Sequence, residues 1–212
     1  MKKINVMLGM PSVGSIPMQT VTCIEKALKS LPYLIPMHVS NSLVYTARDL
    51  ICEKAVEMGF DYVMFIDSDM IFEPSDIEDL ILMDKDIVSG SYVTRVGEPR
   101  LVAYKQVIKR TRLNPPKIVN CDIKGDELEE VAAVGMGFCL IKVSLLRKMY
   151  RDYVSLFEPK WGLGEDIAFC ERARQYSPIV LSRKIKLGHL GTEIKNVPCD
   201  TLDEQIGIKV NE

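Results

Sequence analysis

Four apolar, strand-like segments alternate with three helical patterns over the first 93 of the 212 residues, and this alternation limits the possible folds. The strand-like segments span residues 2–9, 33–40, 62–67 and 86–93. Strands that are connected through helices in this way form a parallel sheet, because each crossover returns the chain to the same edge. The sequence therefore predicts an α/β fold, with a mostly parallel Rossmann-type sheet and helices on both faces.

Apolar periodicity and boundary residues predict the three helices between these strands. The first follows a small-residue loop at residues 9–15, with Ser15 and Pro17 expected at its N-cap and in its first turn. The second carries the clearest amphipathic pattern and ends before Gly59, and the third is expected to be capped by Ser75. The expected spans end at about Ser30, run from Ser42 to Met58, and run from Ser75 to about Met83.

The pattern changes after Val93. Further strands are expected at residues 101–108, 127–134 and 135–141, and short strands within 178–190. Helices are expected at 143–152 and from Glu165 to Gln175. This order predicts a smaller, mixed or antiparallel part beside the main sheet.

Composition narrows the function classes. The net charge of −2 provides no general field for nucleic acid or an acidic membrane. Six cysteines occur without CxxC spacing, which favours reduced, buried thiols and a cytoplasmic location. The apolar run near Met1 is too short for a signal peptide, and no stretch is long enough for an integral membrane segment.

The third strand ends in two carboxylates, Asp67 and Asp69, separated by Ser68. Two acids this close repel each other unless a cation or a basic group lies between them. Mg²⁺ and Mn²⁺ prefer oxygen ligands, and ligands of open α/β sheets bind beyond the carboxyl ends of the strands. A metal–diphosphate site is therefore one interpretation, and an Asx-turn after a strand is the other.

Arg48 lies on the second helix, at the edge of its apolar stripe. An arginine in this place needs an anion, because a buried guanidinium is costly without one. The anion could be a bound diphosphate or the carboxylate of Asp67. A third possibility is that the side chain extends to solvent.

A second acidic pair, Glu165 and Asp166, opens a predicted helix after Gly164 and close to Trp161, the chain's single tryptophan. Acids in a first turn are favoured by the helix dipole, which is the purely structural explanation. The functional one is that Trp161 packs on a sugar while a carboxylate accepts a hydroxyl proton. The helix N-terminus is expected to lower the pKa of Asp166, so that it is ionised at neutral pH.

His189 follows a short apolar run and lies between Gly188 and Gly191. Imidazole suits Mn²⁺ as a ligand, which makes His189 a candidate metal ligand. The only other histidine, His38, lies in a predicted strand and is interpreted as structural.

A basic stretch runs from Arg95 to Lys117. It could contact an anionic acceptor, but such stretches are more often solvated faces. The acids at 126–130 on the following strand are expected to pair with it.

These segments, taken in order, resemble the GT-A-fold glycosyltransferases, which are nucleotide-diphospho-sugar transferases with a DxD motif. The resemblance covers about residues 3–191. Its motifs are Ala47-Arg48-Asp49, Asp67-Ser68-Asp69, Gly137-Phe138-Cys139-Leu140-Ile141, Gly164-Glu165-Asp166 and Gly188-His189.

The resemblance implies one GT-A-like domain over residues 1–191. Residues 1–94 would form its nucleotide-binding half, 95–191 its acceptor-side half, and 192–212 a C-terminal tail. The implied activity is transfer of a hexose or pentose from a nucleoside-diphosphate sugar, foremost a UDP-sugar, with Mn²⁺ or Mg²⁺ as cofactor. The acceptor class stays open among glycan, lipid carrier, protein and modified nucleobase, and so does the oligomeric state.

The resemblance also implies roles for individual residues. The metal ligands would be Asp67, Asp69 and His189. The donor would be bound by Met10, Pro11, Ser12, Arg48, Asp67 and Ser68, the first three lining the nucleobase pocket. The acceptor side would be formed by Trp161, Gly164, Glu165 and Asp166. Of the two catalytic candidates, Glu165 and Asp166, the latter is the expected base of an inverting transfer.

Two alternatives remain open at this point. A nucleotidyltransferase also uses paired carboxylates and a metal, but usually with a basic, glycine-rich loop near its N-terminus, whereas residues 10–17 contain no Lys or Arg. A non-catalytic module that binds nucleotide sugars or glycans would bind without turnover.

Overall fold

The computed structural model describes residues 4–108, 111, 114, 116–160, 162–191 and the backbone of 194–196. Its helices are α1 (Met18–Ser30), α2 (Val44–Glu57), α3 (Pro74–Leu82), α4 (Val143–Met149) and α5 (Glu165–Ala173). Its strands up to residue 108 are β1 (Val6–Ser12), β2 (Leu34–Ser40), β3 (Tyr62–Ile66), β4 (Met70–Ile71), β5 (Ile87–Ser91) and β6 (Ala103–Ile108). The later strands are β7 (Lys117–Asn120), β8 (Leu128–Val131), β9 (Ala133–Val134), β10 (Phe138–Lys142), β11 (Ile179–Lys186), β12 (Gly188–Leu190) and β13 (Ile194–Asn196).

The central sheet has seven strands in the order β2-β1-β3-β10-β5-β11-β8. Strands β2, β1, β3, β5 and β11 run in one direction, whereas β10 and β8 run against their neighbours. The prediction of a mixed α/β fold with a mostly parallel sheet is therefore confirmed. The reversed strand β10 lies between β3 and β5 and joins the two parallel halves of the sheet.

Helices cover both faces of this sheet, as predicted. Along β3 the side chains alternate, so that Val63 and Phe65 face one core while Met64 and Ile66 face the other. The first core is closed by α2, α4 and α5, and the second by α1 and α3. The sheet is thus buried on both faces, which explains the continuous apolar runs in its strands.

Two small antiparallel sheets complete the fold, with strand orders β13-β12-β4 and β7-β6-β9. The first matters most for the site, because β12 pairs with the short strand β4 that directly follows the acidic triplet. Of the helices among the described residues, none is both long and apolar enough to cross a membrane. Of the six cysteines, the five among the described residues, at positions 23, 52, 121, 139 and 170, are free and buried, as expected.

Several local predictions need correction. The chain at 9–12 continues β1 through Ser12, because residues 10–12 pair with β2, and is not a loop. Helix α1 is capped by Pro17 and not by Ser15. Helix α3 is capped by Glu73, whose side chain and backbone form a capping box with Asp76, and not by Ser75. The strand β7 was not expected.

Candidate functional site

A cleft of about 350 Å³ lies at the carboxyl edge of β1 and β3, where the acidic triplet follows its strand. Its lining includes all three residues of the triplet and two arginines from different parts of the chain. The lining residues are Pro11, Ser12, Val13, Ser42, Val44, Ala47, Arg48, Asp67, Ser68, Asp69, Arg95 and Glu165. Parallel strands place their carboxyl ends together, which is why this edge collects polar groups from distant segments.

Asp67 is held from both sides. Its backbone N–H donates to the carbonyl of Gly137 at 2.9 Å, and its Oδ1 accepts a hydrogen bond of 2.8 Å from the Arg48 guanidinium. Only 3% of the Arg48 side chain is exposed, and its guanidinium lies over the ring of Phe65. Of the three possibilities for Arg48, the structure contains the ion pair with Asp67.

Asp69 has a different set of neighbours. Its carbonyl accepts from the N–H of Leu190 at 2.8 Å, which fixes β12 beside the triplet. This pairing brings the Nε2 atom of His189 to 3.4 Å from Oδ2 of Asp69. The second ring nitrogen of His189, Nδ1, lies 2.7 Å from the carbonyl oxygen of Val93.

Arg95 also reaches Asp69, with a distance of 2.6 Å between its guanidinium and Oδ2. Arg95 was expected to be structural or to face the acceptor, so its position in the cleft was missed. A signal was present, because Arg95 follows β5, whose carboxyl end lies at the same edge of the sheet as that of β3.

These contacts shift the pKa values of Asp69 and His189. Burial alone would raise the pKa of Asp69, but the hydrogen bond and charge of His189, with the charge of Arg95, outweigh it and lower the pKa. Burial opposes the charge on His189, whereas its bonds to Asp69 and Val93 favour it and raise its pKa. Asp69 is therefore ionised at neutral pH, and it attracts cations.

The donor set fits a divalent cation only in part. Within the described residues, no three His, Cys, Asp or Glu side chains are grouped closely enough to hold a metal ion by themselves. Asp69 and His189 do face each other. Because a carbonyl oxygen only accepts, Nδ1 of His189 carries a hydrogen, so Nε2 is the nitrogen that could bind a metal once it has given up the proton that Asp69 favours. One carboxylate and one imidazole suit Mn²⁺ or Mg²⁺ when phosphate oxygens supply further ligands.

The amino-terminal strand contributes one wall of the cleft. Pro11 and Ser12 line it, and the Ser12 hydroxyl is hydrogen-bonded to Nε2 of His38 at 2.6 Å. Met10 is buried in the core that α1 covers and is not among the lining residues. Its side chain points into that core together with Val6 and Leu8, because alternate residues of a strand share a face.

Of the acidic pair on α5, Glu165 is the residue that lines the cleft. Its Oε1 lies 3.7 Å from Nε of Arg48. Asp166 is half-buried beside it and accepts a 2.7 Å hydrogen bond from the N–H of Ile167. Gly164 is the N-cap of this helix. Trp161 lies outside the described residues.

The expected lowering of the pKa of Asp166 is wrong. Burial, and after it the charge of Glu165, raise the pKa of Asp166 to about 6. The hydrogen bond from Ile167 and the charge of Arg48 lower it, but by less. Asp166 remains mostly ionised at pH 7, and its pKa is closer to the optimum for a base working there.

Asp49, the residue after Arg48, has a supporting role that the sequence did not reveal. Its carboxylate accepts from the backbone N–H groups of Leu156 and Phe157, at 2.8 and 3.1 Å, and from the hydroxyl of Ser155. These bonds fix residues 155–157 against α2, ahead of the loop that leads to Gly164.

The molecule is thus an α/β protein with an acidic, arginine-containing cleft at the carboxyl edge of a mostly parallel sheet. No protein-family model matches the chain, and no curated protein is similar to it. Among solved structures, the crystal structure of A197 from STIV matches 97% of this chain and 100% of that chain, with a TM-score of 0.62 and 18% identity. At this identity the likeness shows a shared fold alone.

Proposed function

We propose that the chain is a metal-dependent glycosyltransferase, which binds a nucleoside-diphosphate sugar in the cleft and transfers the sugar to an acceptor hydroxyl. The observation that carries the proposal is the facing pair of Asp69 and His189, at the carboxyl edge of the sheet and beside Arg95. An ionised carboxylate and an imidazole suit a divalent cation, and a cationic side chain suits the phosphate oxygens beside it.

Each side chain of the cleft has a role in this proposal. Asp69 and His189 would hold Mn²⁺ or Mg²⁺, which stabilises the negative charge of the departing nucleoside diphosphate. Asp67 is held by Arg48, and it would assist the metal or bind the ribose. Pro11 and Ser12 would border the nucleobase.

The α5 carboxylates would serve the acceptor side. With a pKa near 6, Asp166 can accept the proton of an attacking hydroxyl at neutral pH. Glu165 is nearer to the cleft and is held near Arg48, so it would orient the donor or acceptor. If the transfer is inverting, loss of the Asp166 carboxylate lowers turnover far more than loss of the Glu165 carboxylate lowers it.

The test is titration calorimetry with UDP, GDP, ADP and CDP, each with and without Mn²⁺. We expect one nucleotide to bind only with Mn²⁺, and Asp69→Asn to lose most of that binding. Asp122→Asn is the matched control, because Asp122 is 81% exposed and lies away from the cleft. Equal affinities for the wild type and Asp69→Asn would refute the metal site.

Turnover separates the alternatives. Incubation with the sugar conjugate of the nucleotide that binds should release the nucleoside diphosphate. Release of pyrophosphate from a nucleoside triphosphate would indicate a nucleotidyltransferase, and binding without release would indicate a binding module.

A further inference from the structure

The loop that carries Arg95 has a base that hydrogen bonds fix in place. Residues 92 and 102 are hydrogen-bonded across the two sides of the loop, and the N–H of Thr94 donates to the carbonyl of Arg100. The hydroxyl of Thr94 adds a bond to the carbonyl of Glu98. Arg95 itself is 58% exposed, so its long side chain can change position without movement of the loop base.

Arg95 is bonded to Oδ2 of Asp69, the oxygen atom that a metal would need. Oδ2 of Asp69 lies 2.6 Å from the Arg95 guanidinium and 3.4 Å from Nε2 of His189. A divalent cation bound to Asp69 and His189 would repel a guanidinium at this distance. Arg48 is not the group that moves, because it is buried and bonded to Asp67. Metal binding therefore requires Arg95 to leave Asp69.

Within the cleft, Arg95 has an alternative binding partner only when an anion is bound. A diphosphate bound to the metal would bring oxygen atoms into the space that Arg95 already borders. Guanidinium groups bind phosphate oxygens through two parallel hydrogen bonds, which are stronger than the single contact that Arg95 makes with Asp69.

We propose that Arg95 is a diphosphate-binding residue that Asp69 holds while the cleft is empty, an inference that rests on the function proposed above. Arg95 opposes the binding of a metal alone and favours the binding of a metal with a diphosphate. Metal and diphosphate then bind with positive coupling, because the first displaces Arg95 and the second gives it a new partner. The free cation binds more weakly until a donor arrives.

The test uses Mn²⁺ alone, and then pyrophosphate in the presence of Mn²⁺, on the wild type and three variants. Arg95→Gln removes the charge, Arg95→Lys keeps the charge but loses the planar fork, and Arg100→Gln removes a charge from the same loop. Free Mn²⁺ is followed by electron paramagnetic resonance, and pyrophosphate by calorimetry. Circular dichroism checks that each variant is folded.

Arg95→Gln should bind Mn²⁺ alone up to about fivefold more tightly, the upper value for an ion pair whose cation is exposed. It should bind pyrophosphate with Mn²⁺ roughly 10- to 100-fold more weakly, the loss of one charge-assisted contact. Arg95→Lys should bind Mn²⁺ like the wild type and pyrophosphate with intermediate affinity. Arg100→Gln should stay within about twofold of the wild type for both probes, because its side chain is exposed and outside the cleft lining.

The inference depends on Arg95→Gln changing the affinities for Mn²⁺ and for pyrophosphate in opposite directions. If Arg95→Gln weakens both probes, or changes neither, Arg95 is only a surface partner of Asp69 and the inference fails while the proposed function stands. An equal response of Arg100→Gln would reduce the effect to general charge and also overturn it. A wild-type chain that binds neither Mn²⁺ nor its pyrophosphate complex refutes the proposed function and this inference with it.

Discussion

Replacement of Arg48 by methionine tests whether the cleft depends on its buried ion pair. Methionine retains most of the aliphatic volume but removes the 2.8 Å hydrogen bond to Asp67 and the 3.4 Å contact with the carbonyl of Met136. It also removes the guanidinium from the face of Phe65. Asp67 would keep its charge without its closest partner.

The burial of Arg48 and Asp67 sets the expected loss in the free energy of unfolding. Breaking a fully buried pair costs about 3–5 kcal/mol, because the remaining charge is left uncompensated. The Asp67 side chain is 33% exposed, so water can replace part of the lost interaction. We therefore expect a loss of about 2–3 kcal/mol in the free energy of unfolding. For a chain of this size the melting temperature should fall by roughly 4–12 °C.

Urea and thermal unfolding of Arg48→Met, Asp67→Asn and the double variant measure the pair directly. The double-variant cycle should give a coupling energy of about 1–3 kcal/mol, as expected for residues in contact. Arg151→Met is the control, because Arg151 is exposed, and its stability should stay within about 0.5 kcal/mol of the wild type. Additive effects of Arg48→Met and Asp67→Asn would contradict the reasoning.

Three further predictions follow from single contacts. Gly137→Ala should cost about 1–3 kcal/mol in calorimetric unfolding, because its Cβ would lie 2.9 Å from the hydroxyl of Tyr92, and an unchanged melting temperature would refute this. His189→Ala should weaken Mn²⁺ binding and turnover together while His38→Ala does not, and equal effects of the two would exclude the metal assignment. Asp166→Asn should gain stability relative to the wild type between about pH 4 and 6, because the raised pKa makes ionisation of the native Asp166 cost stability in that window. Parallel pH–stability curves for the wild type and Asp166→Asn would contradict this and show that the pKa of Asp166 is not raised. The same variant should lose roughly 10²–10⁴-fold in turnover with little change in donor binding.

The sequence predicted the elements of the sheet better than their order. Continuous apolar runs identified β3, β5 and β10 as buried strands, because such runs are required where both faces are covered. The insertion of β10 between β3 and β5, antiparallel to both, was not predicted. That position depends on pairing between residues about 50 to 80 positions apart, for which local periodicity carries no signal.

The extension of β1 through Pro11 shows how a breaker residue can mislead. Pairing of β1 with β3 ends at Gly9, whereas pairing with β2 continues to Ser12. Pro11 therefore lies where the strand has one neighbour, and its missing N–H need not break a hydrogen bond there. The pattern of Gly, Pro and Ser predicted a loop because it reports local preference and not the number of neighbours.

Charge pairing was the least predictable feature. The acids of β8 were expected to pair with the basic stretch after Arg95, but Glu129 forms its ion pair with Arg183 of β11. The reason is the strand order, which places β8 beside β11. Within the described part of the stretch, Lys105 pairs with Asp122 and Arg95 with Asp69. Partners of this kind follow from topology, so they cannot be read before the topology is known.

The two acids of the triplet illustrate how the fold divides similar residues. Asp67 ends the central strand and is bonded to Arg48 of α2, whereas Asp69 precedes β4 and faces β12 and the loop after β5. Asp67 is thus paired with the buried cation of Arg48, and Asp69 with the exposed cation of Arg95. Exchange of the fixed cation would disturb the core around Phe65, but exchange of the exposed one changes only the cleft. The carboxylate whose counter-ion can be replaced without disturbing the core is Asp69, and for that reason it is the first ligand in the metal site proposed above.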